Sequence, residues 1–108
     1  MNPQYKKGVL ELCVLSLLHG RDFYGYELSE YLATHIQISA GSVYPILRKL
    51  KNEDLLTVYL QEESGGPPRK YYSLTPKGRM QFEKDKEDYL AFARIVENLL
   101  EDDDHDQE

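Results

Sequence analysis

A short stretch of the chain, residues 39–52, carries the side chains best suited to binding chemistry. Its polar members are Ser39, Ser42, Tyr44, Arg48, Lys49 and Lys51. Hydroxyl, phenol and guanidinium groups read the edges of bases in a DNA groove, and cations neutralise phosphates. We therefore assign all six to a candidate DNA-binding set, with Ser42, Tyr44 and Arg48 at or near base edges and the lysines on phosphates. The alternative interpretation is an ordinary solvated helix face.

Apolar residues of the same stretch predict the helix that positions these groups. Four of them recur at i, i+3, i+4 and i+7, so they share one side of a helix and should face a core. They are Val43, Ile46, Leu47 and Leu50. The N-cap is either Ser39 or Ser42, and Pro45 falls comfortably in the first turn if the helix starts at Ser42. The helix should end near residues 52–53.

A β-hairpin with cations at its mouth follows this helix. Residues 56–62 and 69–74 are rich in strand-forming residues, and the glycines and prolines between them predict a turn. Arg69 and Lys70 are the expected contacts of this wing with the DNA. Of the two consecutive tyrosines on the second strand, one should pack in the core and the other face the DNA, because successive side chains alternate. Tyr72 is assigned to the candidate DNA-binding set.

Two further helices precede the recognition segment. The first is expected over about residues 4–19 with Gly20 as its stop, and it is apolar most of the way round. In so small a chain, its full burial would require a second subunit. The second helix should begin at Tyr24 or Gly25 and end near Thr34.

A long helix is expected at the C-terminal end of the fold. Thr75 followed by proline is a helix-start signal and predicts a helix from residue 76 to about residue 100. Apolar residues recur along it at seven-residue intervals, which favours a seam against another helix. They form one row of Phe82, Tyr89 and Val96 and a second row of Phe92 and Leu99. The stripe is interpreted as a dimer core, and the alternative is an effector cavity or pore lined by Tyr89, Phe92 and Val96.

The order of these elements predicts the fold class and the domains. It is mainly α with a two-stranded β-wing, a winged helix-turn-helix with a long C-terminal dimerisation helix. Residues 1–75 would form the DNA-binding domain and residues 76–100 the dimerisation helix. Residues 101–108 are too charged to fold alone and are expected to form a disordered acidic tail.

The distribution of charge allows a nucleic-acid partner despite a net charge of −6. The last eight residues contain six acids and no Lys or Arg, which leaves 13 acids and 13 bases in the other 100 residues. Residues 48–79 hold seven bases and four acids, a local balance of +3. Docking on phosphates requires a positive face rather than a positive total.

Other classes of function are disfavoured by the composition. The single cysteine, Cys13, excludes an internal disulfide framework, and the three histidines share no metal-ligand spacing. We therefore expect no metal and no cofactor, and no catalytic site is evident, since the serines are better explained as helix caps. No apolar run approaches the ~20 residues that span a membrane, and no signal-peptide cleavage site follows the first helix, so we expect a cytoplasmic protein. The main rival function is a winged-helix protein–protein interaction module without DNA binding.

Four collinear segments resemble the PadR family of bacterial transcriptional regulators. They are residues 8–15, 24–28, 38–50 and 66–78, and the resemblance extends from residue 3 to about residue 100. It implies a homodimeric repressor that binds a palindromic operator in double-stranded DNA and is released by a small molecule or a stress signal. The chain is similar to the small subfamily, which lacks a large C-terminal domain and dimerises through its first and last helices.

In one branch of that subfamily, flat aromatic drugs bind in a pore between tryptophans of the last helix. This chain has no Trp, and Tyr89 stands about where that tryptophan would be. The resemblance therefore implies a small hydrophobic aromatic effector as a candidate ligand, with this departure from the pattern.

Overall fold

A computed structural model of the chain describes residues 3–62 and 65–102, with side chains from residue 8 onward. Its helices are α1 (Pro3–Gly20), α2 (Gly25–Ile36), α3 (Val43–Asn52) and α4 (Pro76–Glu101), and a 3₁₀ turn (Ala40–Ser42) precedes α3. Its strands are β1 (Phe23–Tyr24), β2 (Leu56–Gln61) and β3 (Arg69–Leu74). This order confirms the predicted mainly α winged helix with a long C-terminal helix.

The sheet has one strand more than the sequence predicted. Its order is β1-β3-β2 and both pairings are antiparallel. β1 is only two residues long and pairs Phe23 with Tyr72 and Tyr24 with Tyr71. A two-residue strand carries no alternation of polar and apolar residues, so the sequence held no signal for it. It ties the loop before α2 to the wing.

The apolar side of α3 forms the centre of the core, as the spacing predicted. Its four apolar residues are at most 4% exposed. Leu15 of α1 and Leu28 of α2 are also buried in this cluster, together with Leu56 of β2. Burial of a large aliphatic side chain contributes about 1.5–3 kcal/mol, so this cluster fixes how α3 is presented at the surface.

The chain enters α3, the proposed recognition helix, through a 3₁₀ turn. Ser39 precedes the 3₁₀ turn and Ser42 precedes α3, and neither side chain makes a capping hydrogen bond. Both serines therefore occupy cap positions, one for each helical segment, which explains why the sequence did not decide between them. The backbone oxygen of Ser39 instead accepts a hydrogen bond from the Ser42 amide at 2.9 Å. Pro45 lies in the first turn of α3, as expected.

The first turn of α4 is docked on the connection between α3 and β2. The Thr75 hydroxyl accepts a hydrogen bond from the Gly78 amide at 2.9 Å and donates to the Asp54 carbonyl at 2.7 Å. Thr75 is thus the predicted cap of α4, and it also joins the helix to the preceding turn. The helix then packs on α1, where the rings of His19 and Phe82 are 4.8 Å apart.

Beyond Phe82, α4 leaves much of its apolar surface exposed in the single chain. Five apolar side chains are 54–75% exposed: Leu90, Phe92, Ile95, Leu99 and Leu100. The chain measures 66 Å along its longest axis and 28 Å along the next, since this helix projects from the winged-helix body. The predicted acidic tail, apart from its first two residues, lies outside the described residues, and the domain boundaries stay a prediction.

Candidate nucleic-acid interface

Polar side chains of α3 face solvent on the side opposite its buried residues. Ser42, Tyr44, Arg48 and Lys51 are all exposed, as is Ser39 before the 3₁₀ turn. The Tyr44 ring is 40% exposed and rests beside the start of α2. A Cβ atom added at Gly25 would lie 3.3 Å from Cε1 of Tyr44, so the glycine allows this close approach. The exposed surface of α3 therefore combines an aromatic ring that packs against α2 with hydroxyl groups and cations.

The structure corrects the expectation for Tyr72. Its ring is 9% exposed and belongs to the core, so it does not offer a surface for DNA. Burial raises the pKa of the Tyr72 phenol, the Tyr44 phenol adds to the rise, and the Arg48 guanidinium opposes it. Tyr72 thus packs beside Tyr44 at Gly25, where an added Cβ atom would lie 3.3 Å from Cε1 of both rings. Tyr71, the other member of the pair, lies on the opposite face of the sheet.

Lys49 makes a contact within the chain that the sequence analysis did not predict. Its Nζ lies 2.6 Å from Oε1 of Glu11 on α1 and 4.0 Å from Oε2 of Glu53. The hydrogen bond to Glu11 raises the pKa of Lys49. The ammonium group is therefore turned toward α1 and its charge is already paired. Lys51 directly follows the buried Leu50. It is the lysine of α3 that stays in the candidate DNA-binding surface.

Arg69 and Lys70 lie at the start of β3 and are both exposed. Because side chains alternate along a strand, they project from opposite faces of the wing. Lys70 shares a face with Tyr72, and Arg69 shares a face with Tyr71. The Cζ atom of Arg69 lies 4.6 Å from the ring centroid of Tyr24, at the junction of β1 and α2.

A further exposed tyrosine, which the sequence analysis did not select, lies at the start of α2. Tyr26, in the first turn of α2, is 61% exposed. Glu30 raises its pKa, and the phenols of Tyr24 and Tyr44 contribute smaller effects in the same direction. Tyr26 is thus an exposed phenol whose electrostatic partners include Tyr44 of α3. The segment from Tyr24 to Leu28 was interpreted as a helix start and as part of the family resemblance, and neither interpretation assigned Tyr26 a role in binding.

A separate groove of about 810 Å³ runs between α1, the end of α3 and α4. Tyr89 and Phe92 line it, and Val96 lies one turn further along α4. The charged side chains in its lining are Glu11, Glu53, Lys77, Asp85 and Asp88. Glu11 is the partner of Lys49, so one lining residue is bonded directly to the recognition helix.

Residues 3–62 and 65–102 contain neither a metal-binding cluster nor a membrane-spanning helix. No cluster of three or more His, Cys, Asp or Glu in this part of the chain has a metal-binding arrangement. None of its helices is both long enough and apolar enough to cross a bilayer. Cys13 is a free, half-buried thiol, and burial raises its pKa.

Comparisons with known proteins agree with this geometry. The chain matches the model of the transcriptional regulator PadR-like family over residues 14–84. It is 42% identical to a PadR-like transcriptional regulator from Bacillus cereus, whose crystal structure superposes with a TM-score of 0.82 over 91% of this chain and 97% of that one. It is 29% identical to the transcriptional regulator Rv3488 of Mycobacterium tuberculosis, covering 86% of this chain and 87% of the relative.

A third relative has been solved with DNA. The crystal structure of Bacillus subtilis PadR in complex with operator DNA aligns at 25% identity and a TM-score of 0.62, over 70% of this chain and 45% of that one. The family model covers more than half of the sequence, and the mainly α winged helix with its long last helix matches PadR-like structures. This chain belongs to the PadR-like family of transcriptional regulators.

Proposed function

We propose that the protein is a homodimeric, sequence-specific DNA-binding repressor. In this proposal α3 enters the major groove and the β2–β3 wing contacts the flanking backbone. The observation that carries it is the two-sided character of α3, whose apolar side is buried while Tyr44, Arg48 and Lys51 face solvent beside the wing. The operator complex of the Bacillus subtilis relative supports the same use of the fold.

The proposed DNA-binding surface consists of the exposed members of the predicted set. They are Ser39, Ser42, Tyr44, Arg48, Lys51, Arg69 and Lys70. Arg48 and Tyr44 would contact base edges in the groove, while Lys51 and the wing cations would bind phosphates. Tyr72 and Lys49 are left out because one is buried and the other is paired with Glu11.

Homodimer formation is supported by apolar surface that the single chain does not cover. The exposed apolar residues of α4 include Phe92 and Leu99, one of the two predicted heptad rows. On α1, Leu12 and Leu17 are only half-buried. Pairing two such helices around a two-fold axis would bury both sets, and a two-fold dimer would read a palindromic operator.

In this proposal a small molecule that binds beside α4 releases the protein from DNA. The groove between α1 and α4 carries Tyr89 and Phe92, whose rings suit a small hydrophobic aromatic effector. An occupant that disturbs Glu11 would also disturb its 2.6 Å contact with Lys49 on α3. This contact offers a physical route from the groove to the recognition helix.

The experiment that tests the proposed function is a binding titration on two duplexes. One is the region upstream of the protein's own gene, and the other has the same composition in scrambled order. We expect tight binding to the first, weaker binding to the second, and a steep fall in affinity as salt rises. No binding to either duplex in dilute buffer would contradict the proposal and favour a protein–protein interaction module.

A further inference from the structure

A row of three tyrosines crosses the sheet on the face opposite the core. Tyr24, Tyr71 and Tyr59 are direct cross-strand neighbours on β1, β3 and β2. The rings of Tyr59 and Tyr71 stack with their centroids 5.6 Å apart, and those of Tyr71 and Tyr24 are 5.7 Å apart. Contacts between aromatic cross-strand neighbours stabilise a sheet beyond its backbone hydrogen bonds. We call these three residues the tyrosine row.

One end of the tyrosine row is bonded to the body of the domain. The Tyr59 hydroxyl donates a hydrogen bond of 2.6 Å to Oδ2 of Asp22, in the loop between α1 and β1. This bond raises the pKa of Tyr59. β2 is an edge strand of the sheet and is separated from β1 by β3, so the side-chain bond connects β2 to a loop that the backbone of β2 does not contact. The bond thereby restricts the angle of the wing.

The other end of the row lies beneath a wing cation. The Arg69 guanidinium lies over the ring of Tyr24, with 4.6 Å between Cζ and the ring centroid. Arg69 precedes Tyr71 by two residues on β3, so both side chains are on the same face. Tyr24 immediately precedes α2, whose first turn borders Tyr44 of the recognition helix. The ring thus fixes the position of the wing cation relative to the start of α2.

Resting on the proposed function, we infer that Tyr24 is a positioning residue that orients Arg69 for a DNA phosphate. The Asp22–Tyr59 bond holds the same row from its other end. An arginine on a mobile hairpin would lose conformational freedom when it bound DNA, and this loss opposes binding. A ring that holds the guanidinium in advance reduces that cost. Tyr24 itself carries no charge, so its contribution should disappear when Arg69 is absent.

A double-mutant cycle tests this dependence. The dissociation constant for the upstream duplex would be measured at several salt concentrations for the wild type, Tyr24→Leu, Arg69→Ala and the double variant. We expect Tyr24→Leu to weaken binding about two- to fivefold, the range of an exposed cation–π contact. It should also lower the salt slope, which is the steepness with which the logarithm of affinity falls with the logarithm of salt concentration, by up to about one. A fall of this size corresponds to the loss of one phosphate contact. In the Arg69→Ala background it should cause no further change.

The conservative variant and a matched control separate positioning from a general structural role. Tyr24→Phe should regain the salt slope that Tyr24→Leu loses, because the ring is restored. Tyr31→Leu, the same substitution at an α2 tyrosine whose ring contacts Phe23 and His35, should leave the slope unchanged. An unchanged slope for Tyr24→Leu, or an equal loss of affinity with and without Arg69, would overturn the inference.

A second variant keeps the test informative if Tyr24→Leu unfolds. Tyr59→Phe removes only the hydroxyl that binds Asp22 and keeps the stacked ring. Tyr59→Phe should weaken binding by a smaller factor than Tyr24→Leu does. This effect should also vanish in the Arg69→Ala background. Wild-type affinity for Tyr59→Phe would contradict the inference that the tyrosine row positions Arg69. Wild-type protein that fails to bind either duplex would instead refute the proposed function.

Discussion

Gly78 on α4 lies so close to Leu55 that no side chain fits between them. A Cβ atom at position 78 would be 2.1 Å from the backbone oxygen of Leu55 and 2.9 Å from Cδ1 of Leu74. The obstacle at Leu55 is a backbone carbonyl, which cannot rotate away as a side chain can. This contact fixes where the first turn of α4 packs against the winged-helix body. It therefore also fixes the direction of the proposed dimerisation helix.

Gly78→Ala should destabilise the protein strongly. In an open helix position, alanine is more stable than glycine by about 0.5–1 kcal/mol, but here the methyl group overlaps the Leu55 carbonyl. We expect a loss of more than about 2 kcal/mol in the free energy of unfolding, measured by urea denaturation at fixed protein concentration. Gly8→Ala on α1 is the control, since a Cβ atom there meets nothing within 4 Å. Equal stability of the two variants would contradict the close contact.

Gln37→Gly should stabilise the protein. Gln37 ends α2 with φ of 53°, in the left-handed region where a non-glycine side chain is strained. Glycine removes this strain, and we expect a gain of about 0.5–1 kcal/mol, a rise in the melting temperature of a few degrees. The same substitution at Gln81, within α4, should lower the melting temperature because a helix interior disfavours glycine. A lower melting temperature for Gln37→Gly would contradict the assigned conformation.

Periodic features of the fold could be predicted from the sequence, and long-range contacts could not. The apolar spacing of α3 identified its buried side, and Thr75-Pro76 identified the start of α4 to the residue. The spacing could not identify which of two adjacent tyrosines is buried, because strand alternation gives two faces without saying which meets the core.

The contacts at the candidate site that the sequence did not reveal have the same origin. Lys49 was assigned to DNA because it lies on a polar helix face, yet it pairs with Glu11, 38 residues earlier in the chain. The tyrosine row likewise joins residues from three strands, one of them only two residues long. Such contacts depend on how elements pack in three dimensions, and no local pattern encodes them.

Arg48→Ala should reduce discrimination between the two duplexes. Arg48 is exposed on α3 in the position expected to reach base edges, and a lost base contact costs about 1–3 kcal/mol on the cognate site. The loss on scrambled DNA should be smaller. Lys84→Ala on α4, whose cation is paired with Asp88, is the control and should leave both affinities unchanged. Equal losses on both duplexes would make Arg48 a phosphate contact rather than a reader of sequence.

The two lysines of α3 should respond differently to truncation. Lys51→Ala should weaken binding to both duplexes and lower the salt slope by about one, because its cation is proposed to contact a phosphate. Lys49→Ala should keep the salt slope and cost less than about 1 kcal/mol of stability, since its contact with Glu11 is a partly exposed ion pair. The same drop in salt slope for both variants would restore Lys49 to the DNA-binding surface.

Ile95→Lys should convert the proposed dimer to a monomer. Ile95 is 57% exposed in the single chain and lies among the uncovered apolar residues of α4, where a charge buried against a partner would be strongly unfavourable. Mass measured by light scattering during size-exclusion chromatography should halve, and operator affinity should fall because one half-site is lost. Leu60→Lys introduces the same charge at an exposed leucine of the wing and should leave the dimer intact. A native mass for Ile95→Lys would exclude this face of α4 from the dimer interface.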